Sequence, residues 1–263
     1  YFSFYDSSNN GHLYQLDGST WTEQNSGAWT DIIFETELNG KGYFRFYDSS
    51  FNLHLYQLDG TTWTEQNSGT WLHVEFQTEL NGKGYFLFYD SSYNPHLYQL
   101  DGSTWTEQNS GAWTSITFET ELNGKGYFVF KDSSNAHLYQ LDGSAWSEQN
   151  SGAWKTIYFQ TELNGKGYFS FQDSSLNYHL YQLDGSTWSE QNSGTWINIL
   201  FQTELNGKGY FYFQDSSGNP HLYQLDGSVW SEQNSGAWQG IDFRAELNGK
   251  GYFYFYDSSG NDQ

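Results

Sequence analysis

The chain lacks several residue types that would widen its range of folds and partners. Its 263 residues include no cysteine, no methionine and only two prolines, so the fold depends on no disulfide and the redox compartment is left open. Ten basic residues stand against 31 acidic ones, which gives a formal net charge of −21. Nucleic acids and anionic membrane surfaces bind through basic patches, so we expect neither as a partner. No apolar run reaches the roughly 18 residues of a membrane helix, and membrane insertion is not expected.

Helical periodicity is also missing, because no window shows an apolar residue at every third or fourth position. Aromatic residues are abundant instead, with 12 Trp, 22 Tyr and 21 Phe. Rings suit pleated, half-buried surfaces better than helices. The composition therefore predicts an all-β chain.

One sequence unit is repeated along the chain. Its second-strand Tyr-Phe pair recurs at steps of 42, 42, 42, 41, 42 and 42 residues. Copies this alike are typical of recent duplication or of engineering, so invariance alone does not show selection for function. We number the copies 1 to 6 by the tryptophan that opens each, namely Trp29, Trp71, Trp113, Trp154, Trp196 and Trp238.

Each copy predicts four short strands. In copy 1, alternation places Ile32 and Phe34 on one face of the first strand and Glu37 on the other. Asn39-Gly40 then predicts a type I′ hairpin turn. Further turns at Asp48 and Asp59 separate three more strands, at residues 43–47, 54–58 and 62–66.

Four-stranded units of this length predict a β-propeller of six blades, residues 1–263 forming one domain. Consecutive hairpins argue against the parallel coils of a solenoid. The closing blade is expected to be shared, with its first strand from residues after Trp238 and the others from residues 1–27. Residues 252–257 then duplicate residues 1–6. The surplus strand is expected to be disordered, to displace the N-terminal strand, or to pair with another molecule; we predict self-association through residues 252–263, or a chain excerpted from a longer array.

Residues 13–21 (Leu-Tyr-Gln-Leu-Asp-Gly-Ser-Thr-Trp), preceded by an aromatic strand and Asp6-Ser7-Ser8, resemble a blade of the propeller lectins. These are the seven-bladed Photorhabdus-type lectins and, more distantly, the six-bladed fungal fucose lectins. The resemblance covers every copy, and its specific part is the Asp-Gly-x-x-Trp pattern. It implies multivalent sugar binding in clefts between blades, through Trp stacking and polar hydrogen bonds. The fucose lectins use an Arg on the second strand and a Glu on the third. Here those positions carry Arg45 in copy 1 alone and Gln57 with its copies, so a repeated fucose site is not expected.

Two rows of tryptophans recur. The row within the fourth strand is explained by packing against the next blade: Trp21, Trp63, Trp105, Trp146, Trp188 and Trp230. The row in the connection between blades could stack on a sugar ring while Gln24, Asn25 and their copies bond hydroxyl groups. The predicted ligand-binding residues are therefore Trp29, Trp71, Trp113, Trp154, Trp196 and Trp238, with Asn25, Asn67, Asn109, Asn150, Asn192 and Asn234. The alternative is a sealing role, with each indole N–H bonded to a backbone carbonyl.

The repeated histidines and glutamates do not predict a metal site. One histidine precedes the third strand of each copy, and its sequence neighbours are Leu and Tyr rather than further ligands. These residues are His12, His54, His96, His137, His179 and His221. For Glu37 and its copies, solvated strand ends are favoured over an anionic ring lining a channel. We expect neither a metal nor a cofactor.

The leading hypothesis is a non-enzymatic, multivalent carbohydrate-binding lectin with glycans as partners. An enzyme is not expected, because no pair of carboxylates is distinguished from its copies. The alternative is a structural or self-assembling repeat scaffold, natural or engineered, that associates through the surplus strand. The start at Tyr1 without methionine fits either a removed leader or an excerpt of a longer chain, and a removed leader favours the expected secreted or extracellular location.

Overall fold

The computed structural model describes residues 1–233 and 236–257. These residues form strands and turns without any helix, which confirms the all-β prediction. It follows that they include no helix long and apolar enough to cross a membrane. Two compact units divide the chain, Tyr1–Phe118 and Glu119–Gln263. The boundary falls inside one strand, β11 (Ser115–Leu122).

Unit 1 contains a six-stranded antiparallel sheet in the order β1 to β6 and a four-stranded sheet in the order β10-β9-β8-β7. Strand β3 is long because it serves as the fourth strand of one repeat and the first strand of the next. The strands are β1 (Phe2–Tyr5), β2 (Gly11–Asp17), β3 (Thr20–Leu38), β4 (Lys41–Asp48), β5 (Leu53–Asp59), β6 (Thr62–Gln66), β7 (His73–Leu80), β8 (Lys83–Tyr89), β9 (Pro95–Asp101) and β10 (Thr104–Gln108).

Unit 2 repeats the pattern. Strands β12, β13 and β14 are consecutive antiparallel neighbours, β15 to β21 form a seven-stranded sheet, and β22 pairs with β23. The strands are β12 (Lys125–Lys131), β13 (Ala136–Asp142), β14 (Ala145–Trp154), β15 (Thr156–Leu163), β16 (Lys166–Gln172), β17 (Tyr178–Asp184), β18 (Thr187–Leu205), β19 (Lys208–Asp215), β20 (Pro220–Asp226), β21 (Val229–Gln233), β22 (Gly240–Leu247) and β23 (Lys250–Tyr256).

The predicted hairpin turn at Asn39-Gly40 is present. Leu38 pairs with Lys41 across it, and both central residues have positive φ, 51° at Asn39 and 73° at Gly40. The second predicted turn has positive φ at Gly60 alone, which is the type II′ pattern. Turn chemistry at these positions therefore sets the register of each sheet.

A β-bulge corrects the predicted faces of the first strand. The register skips between Phe34 and Thr36, so Glu35 has no cross-strand partner, and the same skip recurs after Phe76, Phe159, Phe201 and Phe243. Beyond the bulge every side chain changes face. Glu37 therefore lies on the same face as Phe34, and the prediction that it lies opposite was wrong. A binary pattern could not reveal the bulge, because both Glu35 and Thr36 are polar.

Successive sheets stack through two different faces. The Phe face carries Phe44, Phe46 and their copies; the Leu face carries Tyr43, Leu55 and theirs. One buried cluster joins the Leu face of copy 1 to the Phe face of copy 2: Leu38, Tyr43, Leu53 and Leu55 with Val74, Phe86, Phe88 and Leu100. The same packing recurs in unit 2, where Leu163, Tyr168 and Leu180 meet Ile199, Phe211, Phe213 and Leu225. Face-to-face stacking of repeat sheets supports a β-propeller.

The single 41-residue step comes from one shortened turn. In copy 1, Asp48 N–H donates to the carbonyl of Asn52, whereas in copy 3 Asp132 N–H donates to Asn135, one residue sooner. The missing residue is the one that takes positive φ elsewhere, as Phe51 does at 61°. The deletion therefore removes a turn tip and leaves the strands in register.

Both copies of the duplicated terminal segment are strands. In unit 1, β1 is the edge strand beside β2, and about half of the Phe2 and Phe4 side chains is exposed. In unit 2, β23 pairs with β22, and Tyr252 is 51% exposed. Residues 258–263 of the predicted association segment lie outside the described residues.

Candidate functional site

The indole N–H groups of the tryptophans predicted to bind sugar donate hydrogen bonds to backbone carbonyls within the fold. Trp29 Nε1 donates to the carbonyl of Asn25 at 2.9 Å, and Asn25 takes a positive φ of 45° to present that carbonyl. The copies in the described residues repeat the bond at 2.8–3.0 Å: Trp71 to Asn67, Trp113 to Asn109, Trp154 to Asn150 and Trp196 to Asn192. The i−4 bond thus closes the connection between repeats.

Each of these indoles is half-buried between glycine and other rings. A Cβ on Gly27 would lie only 2.6 Å from Trp29 Nε1, so the indole packs directly on the glycine backbone. Phe46 and His54 cover other parts of the ring, with centroids at 5.0 and 5.6 Å. A sugar could reach only the remaining edge, and binding there stays a prediction.

The predicted asparagines have a polar atom left over. The Nδ2 atoms of Asn25, Asn67, Asn109, Asn150 and Asn192 are buried and have no hydrogen-bond partner among the described residues. Asn234 lies outside those residues. Burying an unpaired amide costs free energy, so these asparagines reduce the stability of the folded scaffold.

The other tryptophan row joins neighbouring repeats, as its packing interpretation predicts. Trp63 Nε1 donates to Gln24 Oε1 of the preceding repeat at 3.3 Å. The bond recurs at 3.1–3.3 Å from Trp105 to Gln66, Trp188 to Gln149 and Trp230 to Gln191. Gln24 was proposed to bond sugar hydroxyls, but its side-chain oxygen is engaged in this bond.

The repeated histidines are not isolated, which corrects the sequence interpretation. His54 Nδ1 lies 2.8 Å from Glu65 Oε1, and its Nε2 lies 3.6 Å from Asp48 Oδ2. Backbone N–H groups of Ser50 and Asn52 donate to Asp48, and bonds from Asn52 lower the pKa of that carboxyl to about 2. Antiparallel pairing brought the three groups together across the sheet. No cluster in residues 1–233 and 236–257 has the ligand arrangement of a metal site.

Differences between the copies concentrate at few positions. The five complete copies share most residues. Positions 35, 62 and 70 each change between two or three residue types, and the most varied positions are the seven at 30, 31, 33, 45, 47, 51 and 53. Position 31 carries Asp31, His73, Ser115, Thr156 and Asn198. Position 33 carries Ile33, Glu75, Thr117, Tyr158 and Leu200. Position 45 carries Arg45, Leu87, Val129, Ser170 and Tyr212.

Strand pairing gathers these positions at one end of each sheet. Asp31 pairs with Tyr47, Ile33 with Arg45, and Tyr47 with Leu53. We call the seven positions and their counterparts the variable edge. The opposite end holds the two tight turns, residues 37–42 and 58–60, which are identical in all five complete copies. We call these turns and their counterparts the constant edge.

One cavity of unit 1 lies on the variable edge. This first cleft has a volume of 490 Å³. It is lined by Tyr5, Thr30, Asp31, Ile33, Arg45, Tyr47, Phe51 and His73. Every lining residue occupies a variable position, so this cleft has no identical counterpart elsewhere in the chain.

A charged network forms the floor of the first cleft. Arg45 Nε lies 2.5 Å from Glu35 Oε1, close in distance although not aligned as a hydrogen bond. Its Nη1 donates to the Val74 carbonyl at 2.8 Å and lies 2.8 Å from His73 Nδ1. Burial raises the pKa of Glu35, and the Arg45 guanidinium opposes that shift. The network holds Arg45 rigidly under the cleft.

The wall of the first cleft combines rings with hydroxyl and carboxylate groups. Tyr5 Oη donates to Asp31 Oδ1 at 2.8 Å, and Tyr47 Oη lies 3.2 Å from His73 Nδ1. Phe51 stands at the turn tip with 73% of its surface exposed. Aromatic faces beside hydrogen-bonding groups suit a polar ligand that also has an apolar face.

A second cleft occupies the corresponding place between copies 5 and 6, in unit 2. Its volume is 190 Å³ and its lining is Asn198, Leu200, Gln202, Tyr212, Gln239, Gly240, Ile241, Asp242 and Tyr256. Tyr212 stands where Arg45 stands in copy 1, and Gly240 where His73 stands. The same backbone site thus carries different chemistry.

Cavities on the constant edge are lined mostly by residues that do not vary between the copies. One of 390 Å³ in unit 2 is lined by Asn123, Lys125, Gly167, Gly185 and neighbouring residues of the two turns, and one of 330 Å³ in unit 1 by Glu37, Gly40, Gly42 and Gly60 among others. Their lining residues recur in the other copies. Sequence reasoning missed the first cleft because it searched for repeated residues. The signal that finds it is the series of unlike residues at position 45.

The structure is similar to several solved structures, and no family model and no curated protein sequence matches the chain. A lectin from Burkholderia pseudomallei is 8% identical over 99% of this chain and 92% of that one, with a TM-score of 0.46. The Aleuria aurantia lectin, a six-bladed β-propeller that recognises fucose, is 15% identical over 88% of both chains, with a TM-score of 0.34. A prolyl endopeptidase is 11% identical over 94% of this chain and 43% of its own, with a TM-score of 0.46. Two of these are lectins, and the Aleuria aurantia protein is a six-bladed propeller of the class that the blade pattern resembles. The TM-scores of these three structures are below 0.5, so the function is argued from the residues of this chain.

Proposed function

We propose that the protein is a non-enzymatic, multivalent carbohydrate-binding β-propeller. The observation that carries this proposal is the first cleft, where Tyr47 and Phe51 stand beside Asp31, Arg45 and His73. A sugar ring offers C–H groups to an aromatic face and hydroxyls to charged and polar side chains. A volume of 490 Å³ is within the usual range for small-molecule sites, roughly 300–1,000 Å³.

The expected sugar is neutral. Arg45 already faces the Glu35 carboxylate, which supplies its counter-charge, and His73 Nε2 lies 3.0 Å from the acidic Glu75 Oε1. The net charge of −21 also repels anions at long range. Uronic and sialic acids are therefore disfavoured relative to neutral hexoses and deoxyhexoses.

The tryptophan row is a second part of this proposal. Trp29, Asn25 and their copies would bind weakly at the exposed indole edges, and avidity for a sugar-coated surface would arise from simultaneous engagement. Such surfaces lie outside cells, so we also propose a secreted or extracellular location for the protein.

A glycan array with the full chain, followed by calorimetry, tests the proposal. Tyr47→Gln and Phe51→Gly use residues that other copies carry at those positions, Gln172 and Gly218, so the sheets should remain folded. We expect these variants to weaken binding to the neutral sugars selected on the array. The matched control is Lys41→Ala on the constant edge, which should bind normally. An array without a bound glycan would contradict the proposal.

The proposal includes six four-stranded blades with a closing blade shared by the two ends of the chain. The repeated stacking of Leu face on Phe face supports it, because the Phe faces of copies 2 and 5 are covered by the Leu faces of the copies before them. Small-angle scattering should fit a compact disc. An elongated rod would contradict a closed ring.

Uncovered terminal faces favour a second candidate, a self-assembling scaffold. Phe2, Phe4 and Trp21 form an aromatic cluster on the first sheet, and each is about half exposed. In copies 2 and 5 the Phe face is covered by a Leu face, so the Leu face of a second molecule of this chain is a suitable partner. Deleting residues 252–263 should then reduce self-association in ultracentrifugation. A strictly monomeric full-length chain that unfolds on this deletion would exclude the idea.

A further inference from the structure

Neutral divergence at the surface does not explain the buried differences at position 45. Surface substitutions are usually tolerated, within about 0.5 kcal/mol, so drift should accumulate at exposed positions. Yet exposed Glu37, Asp59 and Glu65 are identical in all five complete copies. Position 45 is buried, with Arg45 at 9%, Leu87 at 1% and Ser170 at 0% exposure, and it differs in every one. Exposed positions 62 and 70 also differ between the copies, but only position 45 combines burial with a different residue in each of the five complete copies.

The two described clefts on this edge differ in size and in hydrogen-bonding groups. The first cleft, at 490 Å³, has the Arg45 guanidinium in its floor and His73 in its wall. The second, at 190 Å³, has Tyr212 and Gly240 at those places. A whole sugar ring suits the first volume, whereas the second suits only part of a ring or a small substituent. Equivalent sites would have required equal linings.

We propose that the variable edge makes each cleft a separate site with its own ligand preference, so that one chain binds different neutral saccharides at different clefts. This inference rests on the proposed function and refines it, because it replaces an array of equivalent sites by a set of unlike ones. The constant scaffold supplies the backbone, and the seven variable positions supply the specificity.

The chain itself provides the substitutions for a test. Glu35→Gln with Arg45→Leu gives copy 1 the pair that copy 2 carries as Gln77 and Leu87. Tyr212→Ser gives copy 5 the residue of copy 4, where Ser170 Oγ accepts a hydrogen bond from Gln160. Each change alters one described cleft with chemistry that the scaffold already accommodates. Circular dichroism checks that both variants fold, and Tyr47→Gln is a reserve variant of the first cleft.

Both variants and the unsubstituted chain are screened on the same array of neutral glycans. We expect the first variant to lose one subset of glycans at least tenfold, and Tyr212→Ser to affect a different subset. Loss of the same glycans by both, in proportion, would overturn the inference and leave the proposed function standing. An unsubstituted chain that binds no glycan would overturn the proposed function and the inference with it.

A graft gives the inference a second readout. Copy 1 residues are placed in the second cleft by nine substitutions: Gln172→Tyr, Ile197→Thr, Asn198→Asp, Leu200→Ile, Gln202→Glu, Tyr212→Arg, Gln214→Tyr, Gly218→Phe and Gly240→His. The side chain of His at position 240 requires the Tyr256 ring to move. Copy 2 shows an arrangement that accommodates both rings, because His73 and Tyr89 occupy the corresponding positions there. The calorimetric stoichiometry for a ligand of the first cleft should rise from one to two. A folded graft with unchanged stoichiometry would overturn the inference.

Discussion

The variable edge and the constant edge are two ends of the same sheets, yet they obey different constraints. At the constant edge, Asn39 Nδ2 donates to the Gly82 carbonyl of the next repeat at 3.0 Å, and Lys41 lies 3.1 Å from Asp59. These contacts need the same residue in every copy. At the variable edge, side chains face a cleft, and their replacement leaves the backbone pairing unchanged. Scaffold and recognition are thus separated along each strand.

The bulge lies between the two edges and explains how the sheets stay aligned. Glu35 at the bulge accepts a hydrogen bond from Phe76 N–H of the next repeat at 3.2 Å. The bond recurs from Phe118 to Gln77, Phe159 to Glu119, Phe201 to Gln160 and Phe243 to Gln202. Glu and Gln both offer the required oxygen, which is why this position alternates between them.

The largest expected effect comes from breaking the charge pair under the first cleft. Arg45→Leu alone leaves Glu35, whose side chain is 8% exposed, without its counter-charge, and should cost about 3–5 kcal/mol of unfolding free energy. Glu35→Gln added to it should recover most of the loss. Urea unfolding measures both. Equal instability of the single and double variants would mean that the fold tolerates substitutions at the variable edge no better than at the constant edge.

A smaller loss is expected at the constant edge. A Cβ on Gly84 would lie 2.6 Å from Leu38 Cδ2 and 2.9 Å from Phe86 Cε2, so Gly84→Ala should cost about 1–3 kcal/mol through overpacking. Gly42→Ala is the matched control, because its Cβ would meet only the Phe44 ring. Thermal unfolding should rank Gly84→Ala below Gly42→Ala, and the reverse ranking would refute the packing account.

Glu119→Gln should stabilise the protein modestly near neutral pH. Burial raises the pKa of Glu119, so its contribution to stability is present below the unfolded pKa and is lost as pH rises through the folded one. Gln keeps the bond to Phe159 N–H, as Gln160 does to Phe201, and removes the titration. The unfolding midpoint should rise at pH 7 and change little at pH 4. The control Glu35→Gln should destabilise at pH 7, because Arg45 loses its partner.

The smallest effect is expected at the tip of the turn beside the first cleft. Phe51 has a φ of 61°, which disfavours an L residue by about 1–2 kcal/mol, while glycine costs about 0.5–1 kcal/mol in chain entropy. Phe51→Gly should therefore raise stability by a few tenths of a kcal/mol to about 1 kcal/mol while weakening sugar binding. Lower stability with unchanged binding would show that the exposed ring serves the scaffold.

Much of the fold was predictable because local chemistry governs it. Positive φ at Asn39-Gly40 and the alternation of strand residues follow from residue type, and both were predicted with the correct hairpins. The bulge at Glu35 was not predictable, because the neighbouring Glu35 and Thr36 are both polar and the Phe76 N–H that Glu35 binds belongs to another repeat. The Asp48–His54–Glu65 cluster was not predicted either, because its members meet only across paired strands.

By itself, the sequence determined an all-β chain of stacked repeats, since periodicity, turn residues and aromatic content act within a few residues of one another. It also contained the unlike residues at position 45, but it did not show that positions 31, 33, 45 and 47 share one surface. Only the tertiary structure decided this, because antiparallel pairing carries Asp31 to Tyr47 and stacking brings His73 of the next repeat to Arg45. A cleft formed by residues of several strands exists only once those strands have paired and packed.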